Sequence, residues 1–335
     1  MREEIRALKE DNRNLEAQIF RQVWHESDIV VATHTGCGDA YLKGRNFDWV
    51  IVDEATQGVE PATWIPISRA GRVVMAGDHK QLPPTFLSRA KGDSGVVQTL
   101  FERFYSFLNP EAVIQLEEQY RMHHKIMDFP SRVFYSGTLK AAEGVREHSL
   151  SSIVSGRILS HNLAPFIFMD TAGLGYEEKK EDGGGSRYNE EEARLVIKEI
   201  KQLQQCGVLP GHIAVISPYS AQVKLLNQFL QEDIQTGGLE IDSVDAFQGR
   251  EKEVVIVSLV RSNLTGDIGF LADTRRMNVG MTRAKRKLIL IGDSATLSNL
   301  TFYRDLIQYA ETIDGYRSAW EYELNDDAGS SKKQR

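Results

Sequence analysis

Apolar residues follow two different rhythms along this chain, and each predicts a different element. Over residues 1–26, Ile5, Leu8, Leu15 and Ile19 stand at spacings of three, seven and four on an otherwise charged segment, a single stripe on one helix. Asn12 interrupts the stripe and the segment is short. An intramolecular helical arm over residues 1–28 is therefore expected ahead of a coiled-coil dimer. Beyond the arm the rhythm changes to short β-branched runs between amphipathic helical stretches: Ile29–Ala32, Trp49–Val52, Arg72–Ala76, Phe166–Met169, Ile213–Ser217, Val254–Ser258 and Leu288–Ile291. That alternation is the mark of parallel α/β sheets. Several runs end directly on polar residues, as in VIVDEAT, VVMAGDHKQ and AVISPYS. In open parallel sheets ligands sit beyond the carboxyl ends of the strands.

The runs fall into two groups separated by Pro130–Leu163, where periodicity weakens and the Ser-rich stretch SLSSIVSG occurs. This places one domain over residues 29–140 and a second over 155–323, followed by a polar, disordered tail at 324–335. YEEKKEDGGGSR, from Tyr176 to Arg187, is charged and Gly-rich and predicts a loop of little intrinsic order. Asn189 then opens a helix as N-cap, with Glu192 as its capping-box partner.

Composition narrows the class without naming it. At 335 residues, 41% hydrophobic and 26% charged, the chain has the length for two ordinary domains. No apolar run approaches a membrane span, and MREEIRALKEDNR has the wrong chemistry for a secretory signal, so an intracellular protein is expected, cytoplasmic or, in a eukaryote, nuclear. Cys37 and Cys206 stand far apart and predict neither a disulfide framework nor a zinc site. A net charge of −7 argues against coating nucleic acid by bulk electrostatics, so any such groove must be locally basic. The best candidate is RRMNVGMTRAKRK, Arg275 to Lys287; a solvated charged helix face explains it equally well.

The strongest chemical signal is FDWVIVDEATQ, a buried-type strand that delivers Asp53 and Glu54 to its carboxyl end. One carboxylate can hold Mg²⁺ through its water shell while the other orients and deprotonates an attacking water. Taken alone, the pair reads more readily as helix N-terminal charge. One strand later, GDHKQLPPT places Gln81 on a turn stiffened by Pro83 and Pro84, where an amide can sense a phosphate; a Pro-terminated surface turn is the plainer reading. His34, His79, His123 and His124 have no metal-site spacing.

Taken together, VVATHTG, VDEATQ, GDHKQLPPT, EEQYRM, SPYSAQ, VDAFQGREKE and RRMNVGMTRAK occur in this order. The chain thereby resembles the 5′-to-3′ branch of superfamily 1 helicases, the group of the immunoglobulin-μ-binding-protein and nonsense-mediated-decay helicases, from about Ile5 to Glu323. The resemblance implies an ATP- and Mg²⁺-dependent motor of tandem RecA-like α/β domains, with ATP between them and single-stranded DNA or RNA across both. It implies Asp53 as the Mg²⁺ residue, Glu54 as the activator of water, Gln81 as reader of the γ-phosphate and Tyr120 stacked on adenine. Arg121 would contact the γ-phosphate and Arg283 act as arginine finger, since guanidinium forks bind phosphate oxygens bidentately. Gly249 permits a tight turn, and Glu251 would meet ribose and the arginines. Thr33, Thr35, Pro83, Pro218, Tyr219 and Ser243 fall at positions that contact the sugar-phosphate backbone, which implies binding without sequence preference.

One part of that pattern is absent: GxxxxGK[ST], whose backbone N–H groups cradle phosphates, occurs nowhere in the chain. The first RecA-like domain is therefore expected to be incomplete, the chain alone catalytically crippled, and its uncovered first sheet prone to self-association. Two readings follow. One is part of an ATP-dependent helicase motor; the other is a non-hydrolysing nucleic-acid-binding or interaction module, or half of a split motor. Retention of Glu54, Gln81, Arg121 and Arg283 favours the first.

Overall fold

A computed structural model describes residues 2–84, 98–154 and 164–321. The tail at 324–335 lies outside them. The chain divides into two compact units, residues 1–77 with 84–104, and residues 78–83 with 105–335.

In the first unit, α1 (Arg2–Glu26) is followed by β1 (Phe47–Val52), α2 (Glu60–Ile67) and β2 (Ala70–Met75). β1 and β2 pair in parallel, Val50 beside Val73 and Val52 beside Met75. The helical arm forms as its stripe predicts, and none of its residues is buried. Its carboxyl end is pinned: Phe20 lies 4.5 Å from the Tyr41 ring, and Arg45 donates to the carbonyls of Trp24 and Ser27. The expected strand Ile29–Ala32 does not form; Ile29 and Val31 are 83% and 93% exposed. An extended apolar run becomes a strand only where another strand takes up its backbone groups, and among the described residues none does.

After α3 (Leu100–Phe107), the second unit opens with β3 (Glu118–Gln119), α4 (His124–Phe134), β4 (Lys140–Ala141) and α5 (Glu143–Arg146). β5 (Phe166–Asp170), the hairpin β6 (Lys179–Lys180) and β7 (Arg187–Tyr188), α6 (Glu190–Gln205), β8 (Ile213–Ser217), α7 (Ser220–Phe229), α8 (Gln231–Gly237) and β9 (Glu240–Ser243) follow. The chain continues through β10 (Lys252–Ser258), α9 (Arg275–Met281), β11 (Ala284–Gly292), α10 (Ser294–Leu297), α11 (Thr301–Thr312) and β12 (Tyr316–Ser318). Six strands form one sheet in the order β12-β5-β11-β10-β8-β9, every pair parallel. This is the α/β parallel sheet that the apolar runs predict.

Strand alternation splits the core of this unit between two faces. Phe166, Phe168, Ile216, Val255, Val257, Leu288 and Leu290 pack with α4, α9 and α11. Ile167, Met169, Val215, Val254, Ile256, Ile289 and Ile291 pack with α6 and α7. Both faces are covered, so the strands read as unbroken apolar runs. Residues 105–140, which the sequence assigns to the first domain, are compact with the second unit, because Met122, Ile126, Met127 and Phe129 enter its core.

Three local expectations are corrected. The stretch Tyr176–Arg187 carries the β6–β7 hairpin rather than a loose loop, held by Glu178, whose side chain is buried and paired with Arg187 at 2.7 Å and Arg261 at 2.8 Å. Asn189 does cap α6, accepting from the Glu192 N–H at 3.0 Å, but Glu192 does not complete a capping box. Its carboxylate turns inward to Ser258 Oγ (2.5 Å) and the Val260 N–H (3.0 and 3.1 Å), while Gln222 takes the Asn189 N–H at 2.9 Å. The stretch Arg275–Lys287 is neither an open basic groove nor a solvated face. Arg283 and Lys287 are buried, Arg275 and Arg276 pair with Asp273, Lys285 with Glu251, and Arg286 with Glu253.

Candidate functional site

In the first unit the sheet presents its acids at the carboxyl end of β1. The strand ends at Val52, and two residues on Glu54 has φ +49 and ψ +39, which turn the backbone left-handed. For a residue bearing a Cβ that conformation costs about 1 kcal/mol or more, and such strain gathers at functional sites. Asp53 Oδ1 accepts the Glu54 N–H at 2.9 Å, and Glu54 Oε2 accepts from Gln57 Nε2 at 2.8 Å. Both acids are exposed. Asp53 thus keeps a carboxylate oxygen open to water, the donor chemistry a hydrated Mg²⁺ requires. Thr33 and Thr35 lie on an exposed turn of the same unit, their hydroxyls 3.4 Å apart, and Thr33 also caps the Gly36 N–H.

The second unit gathers most of the remaining candidates at the amino-terminal edge of its sheet. Gly249 and Glu251 sit just before β10, and Arg283 just before β11. Gly249 has φ +80, so the tight turn expected there is one that favours glycine. Arg121 Nε lies 2.5 Å from Glu251 Oε2, and its Nη1 donates to the Thr282 carbonyl at 3.0 Å. Lys285 reaches the other Glu251 oxygen at 2.8 Å. The Lys285 ammonium first, and Arg121 with it, hold the Glu251 carboxyl below its ordinary range. Arg283, 3% exposed, donates to Val279 O at 3.0 Å and to Thr282 Oγ1 at 3.0 Å, and its Nη2 lies 3.4 Å from Gln81 Oε1.

Several residues that the sequence did not single out fix this arrangement. Gln119 Oε1 accepts the N–H groups of Arg121 and Met122 at 2.8 and 2.7 Å, so one side chain braces the turn that leaves Tyr120 72% exposed. The Tyr120 hydroxyl donates to Glu118 at 2.8 Å, which raises its pKa and leaves its ring free to stack. Asp78 accepts from Gln81 Nε2 at 2.8 Å and from the Tyr135 hydroxyl at 2.5 Å. Asn278, on α9, donates to that hydroxyl at 2.9 Å and to Lys80 O at 3.0 Å. Burial and the Asp78 carboxylate push the Tyr135 hydroxyl well above the usual tyrosine range. Gln81 is thereby tied to the helix that leads into Arg283. Asp78 lies inside the GDHKQ segment, but nothing in the sequence links Tyr135 or Asn278 to it.

The nucleic-acid candidates of this unit lie elsewhere. Pro218 follows β8 and Ser243 ends β9, both half-buried and both at the carboxyl-terminal edge of the sheet. Pro83 lies on the Gln81 segment. Tyr219 is 2% exposed, with its hydroxyl toward Arg261, its N–H on Ser217 Oγ at 3.3 Å and its carbonyl accepting from the Val223 N–H at 3.1 Å, so the structure does not present it to a ligand.

His123, His124 and Glu147 place potential ligand atoms within 4.8 Å of one another. His123 Nδ1, however, accepts the Lys125 N–H at 3.0 Å as cap of α4, so its Nε2 carries the proton and has no lone pair for a metal. Burial, with His124 beside it, lowers the His123 pKa to about 4. No helix among the described residues is long and apolar enough to cross a membrane.

Comparison with known proteins bears on this geometry. One family model described as AAA domain matches residues 96–295, and a second of the same description matches residues 1–89. DNA-binding protein SMUBP-2 of Mesocricetus auratus is 41% identical over 325 residues, covering 96% of this chain and 33% of the relative. An uncharacterized ATP-dependent helicase of Methanocaldococcus jannaschii is 40% identical, covering 89% and 43%. The ATP-dependent helicase NAM7 of Saccharomyces cerevisiae is 38% identical, covering 88% and 30%. The chain thus spans between about a third and under half of the length of these relatives.

Proposed function

The chain belongs to the AAA-domain family and, within it, to the superfamily 1 helicases, and from that premise we propose that it works as part of a motor coupling ATP hydrolysis to 5′-to-3′ movement along single-stranded DNA or RNA. ATP supplies the phosphoanhydride bond whose hydrolysis drives movement. Asp53 would hold Mg²⁺, which would offset phosphate charge, and Glu54, on the left-handed turn just past β1, would take the proton of the attacking water. In the second unit Gln81 would read the γ-phosphate, Arg121 and Arg283 would offset phosphate charge, Tyr120 would stack on the base, and Glu251 on the Gly249 turn orders the two cations beside it. Thr33, Thr35, Pro83, Pro218 and Ser243 track the sugar-phosphate chain.

The observation that carries this reading is the linked set in the second unit: Arg121 on Glu251 at 2.5 Å and Arg283 on Gln81 at 3.4 Å. A fold that needed only ion pairs would not require a buried arginine aimed at a glutamine amide. A second reading is a nucleic-acid-binding module that does not hydrolyse.

ATP turnover by this chain, with and without single-stranded DNA or RNA at low salt and beside Glu54→Gln, tests the motor. Stimulated turnover abolished by Glu54→Gln supports it and overturns the binding module, and loss of both turnover and oligonucleotide binding refutes each. Binding without turnover is common to both readings of a chain without GxxxxGK[ST].

A further inference from the structure

Beyond β10 the chain forms a loop, Leu259 to Ala272, held more firmly than a surface connection requires. Val260 adopts φ +70, a left-handed conformation that a β-branched residue rarely takes, with its N–H fixed by the buried Glu192 carboxylate. Arg261, 2% exposed, pairs with Glu178 at 2.8 Å and Asp267 at 2.9 Å. Asn263 Oδ1 accepts from Thr265 Oγ1 at 2.7 Å and the Asp267 N–H at 2.9 Å. At Gly269, φ +56, a Cβ would fall 2.0 Å from Arg261 Nη1, so only glycine passes over the guanidinium.

Beside Thr265 and the half-exposed Asp267 carboxylate, this scaffold presents two large apolar side chains to water. Leu264 is fully exposed and Phe270 is 59% exposed. Flexible loops can hide such side chains; a strapped loop that displays them forgoes their burial, which points to a ligand.

The surroundings specify its chemistry. The Arg276 guanidinium lies 5.6 Å from the Phe270 ring centroid, and the Tyr219 ring lies 5.9 Å from it at 60°. An exposed ring with a guanidinium alongside is a surface on which unpaired bases stack. Register puts the loop in the right place: Ser217 pairs with Ser243 and Val257 with Ile216, so β8, β9 and β10 end at one level. The loop therefore stands at the same sheet edge as Pro218 and Ser243, and two isolated apolar side chains are too small a patch for a stable protein interface.

We infer that Phe270, with Arg276 beside it and Leu264 on the same loop, is a base-stacking site for single-stranded nucleic acid. This rests on the reading of the Pro218 and Ser243 edge as a backbone-contacting surface.

The test is fluorescence anisotropy of the whole chain with fluorescein-labelled oligothymidine and with an abasic oligonucleotide of equal length, at low salt. Phe270→Ala is expected to weaken oligothymidine binding about ten-fold, leave abasic binding unchanged, and be rescued by Phe270→Trp but not Phe270→Leu. Equal weakening on both probes, no change on either, or rescue by Phe270→Leu overturns the stacking site while leaving the nucleic-acid edge standing. No binding of either probe by the unaltered chain overturns the edge and the stacking site with it.

Discussion

FDWVIV and KEVVIVS are nearly the same kind of strand sequence, yet they lead opposite lives. In β10 every residue from Val254 to Ser258 is fully buried, between β11 and β8 and under helices on both faces. In β1 only Val52 is buried; Trp49 is 51% and Ile51 72% exposed, with β2 the one strand paired to it among the described residues. An apolar run encodes strand conformation, but its burial is supplied by neighbours distant in sequence. The sharpest way to break the contrast is a pair of truncations. Ile256→Ala should cost about 2–5 kcal/mol, a core cavity, whereas Ile51→Ala should change stability by no more than about 0.5 kcal/mol. Urea unfolding of the two variants decides it; equal losses would mean that β1 is covered in solution.

The same division explains what could be read in advance. β5, β8, β10 and β11 were legible because strands covered on both faces leave unbroken apolar runs, and α6 because Asn189 is an N-cap that depends only on its own turn. Ile29–Ala32 was misread because a strand needs a partner that no local pattern reveals. Glu192 was misassigned because its spacing fits a capping box, while its real partners, Ser258 and Val260, arrive from β10 and the loop after it. The charged run Arg275–Lys287 looked like surface because pairing with Asp273, Glu251 and Glu253 is invisible in composition. Among the candidates, Asp53 and Glu54 stand out in the sequence as acids at a strand end and Gln81 as an amide on a Pro-stiffened turn. Gln119, Tyr135 and Asn278 do not, since each acts by holding something else.

Glu192 sharpens the comparison from the buried side. Burial raises its pKa from 4.5 to about 7, against the opposing hydrogen bonds from Ser258 and Val260. The folded state therefore holds the proton more tightly than the unfolded chain. The stability this confers is complete below pH 4.5 and declines as pH rises, to be lost by about pH 7, an effect on the order of 3 kcal/mol. Glu192→Gln cannot titrate, so its melting temperature should be flatter across that window than that of the unaltered chain. Parallel pH profiles would show that the carboxylate is hydrated in solution and that the core at the end of β10 is wetter than its packing indicates.

The smallest effect on stability is expected where the exposed strand meets solvent. Trp49 and Ile51 share one face of β1, and the Arg72 guanidinium lies 5.1 Å from the Trp49 ring. A parallel strand pair with an apolar face and an unpaired edge is a template for another copy of itself. The chain should therefore self-associate, with its apparent mass rising with concentration in light scattering. Ile51→Lys should shift that association to at least about ten-fold higher concentration while leaving the melting temperature nearly unchanged, because the side chain contributes little to the folded unit it belongs to. If the unaltered chain stays monomeric, solvent alone suffices for that face. If Ile51→Lys instead lowers the melting temperature as a core substitution would, β1 and β10 are alike after all.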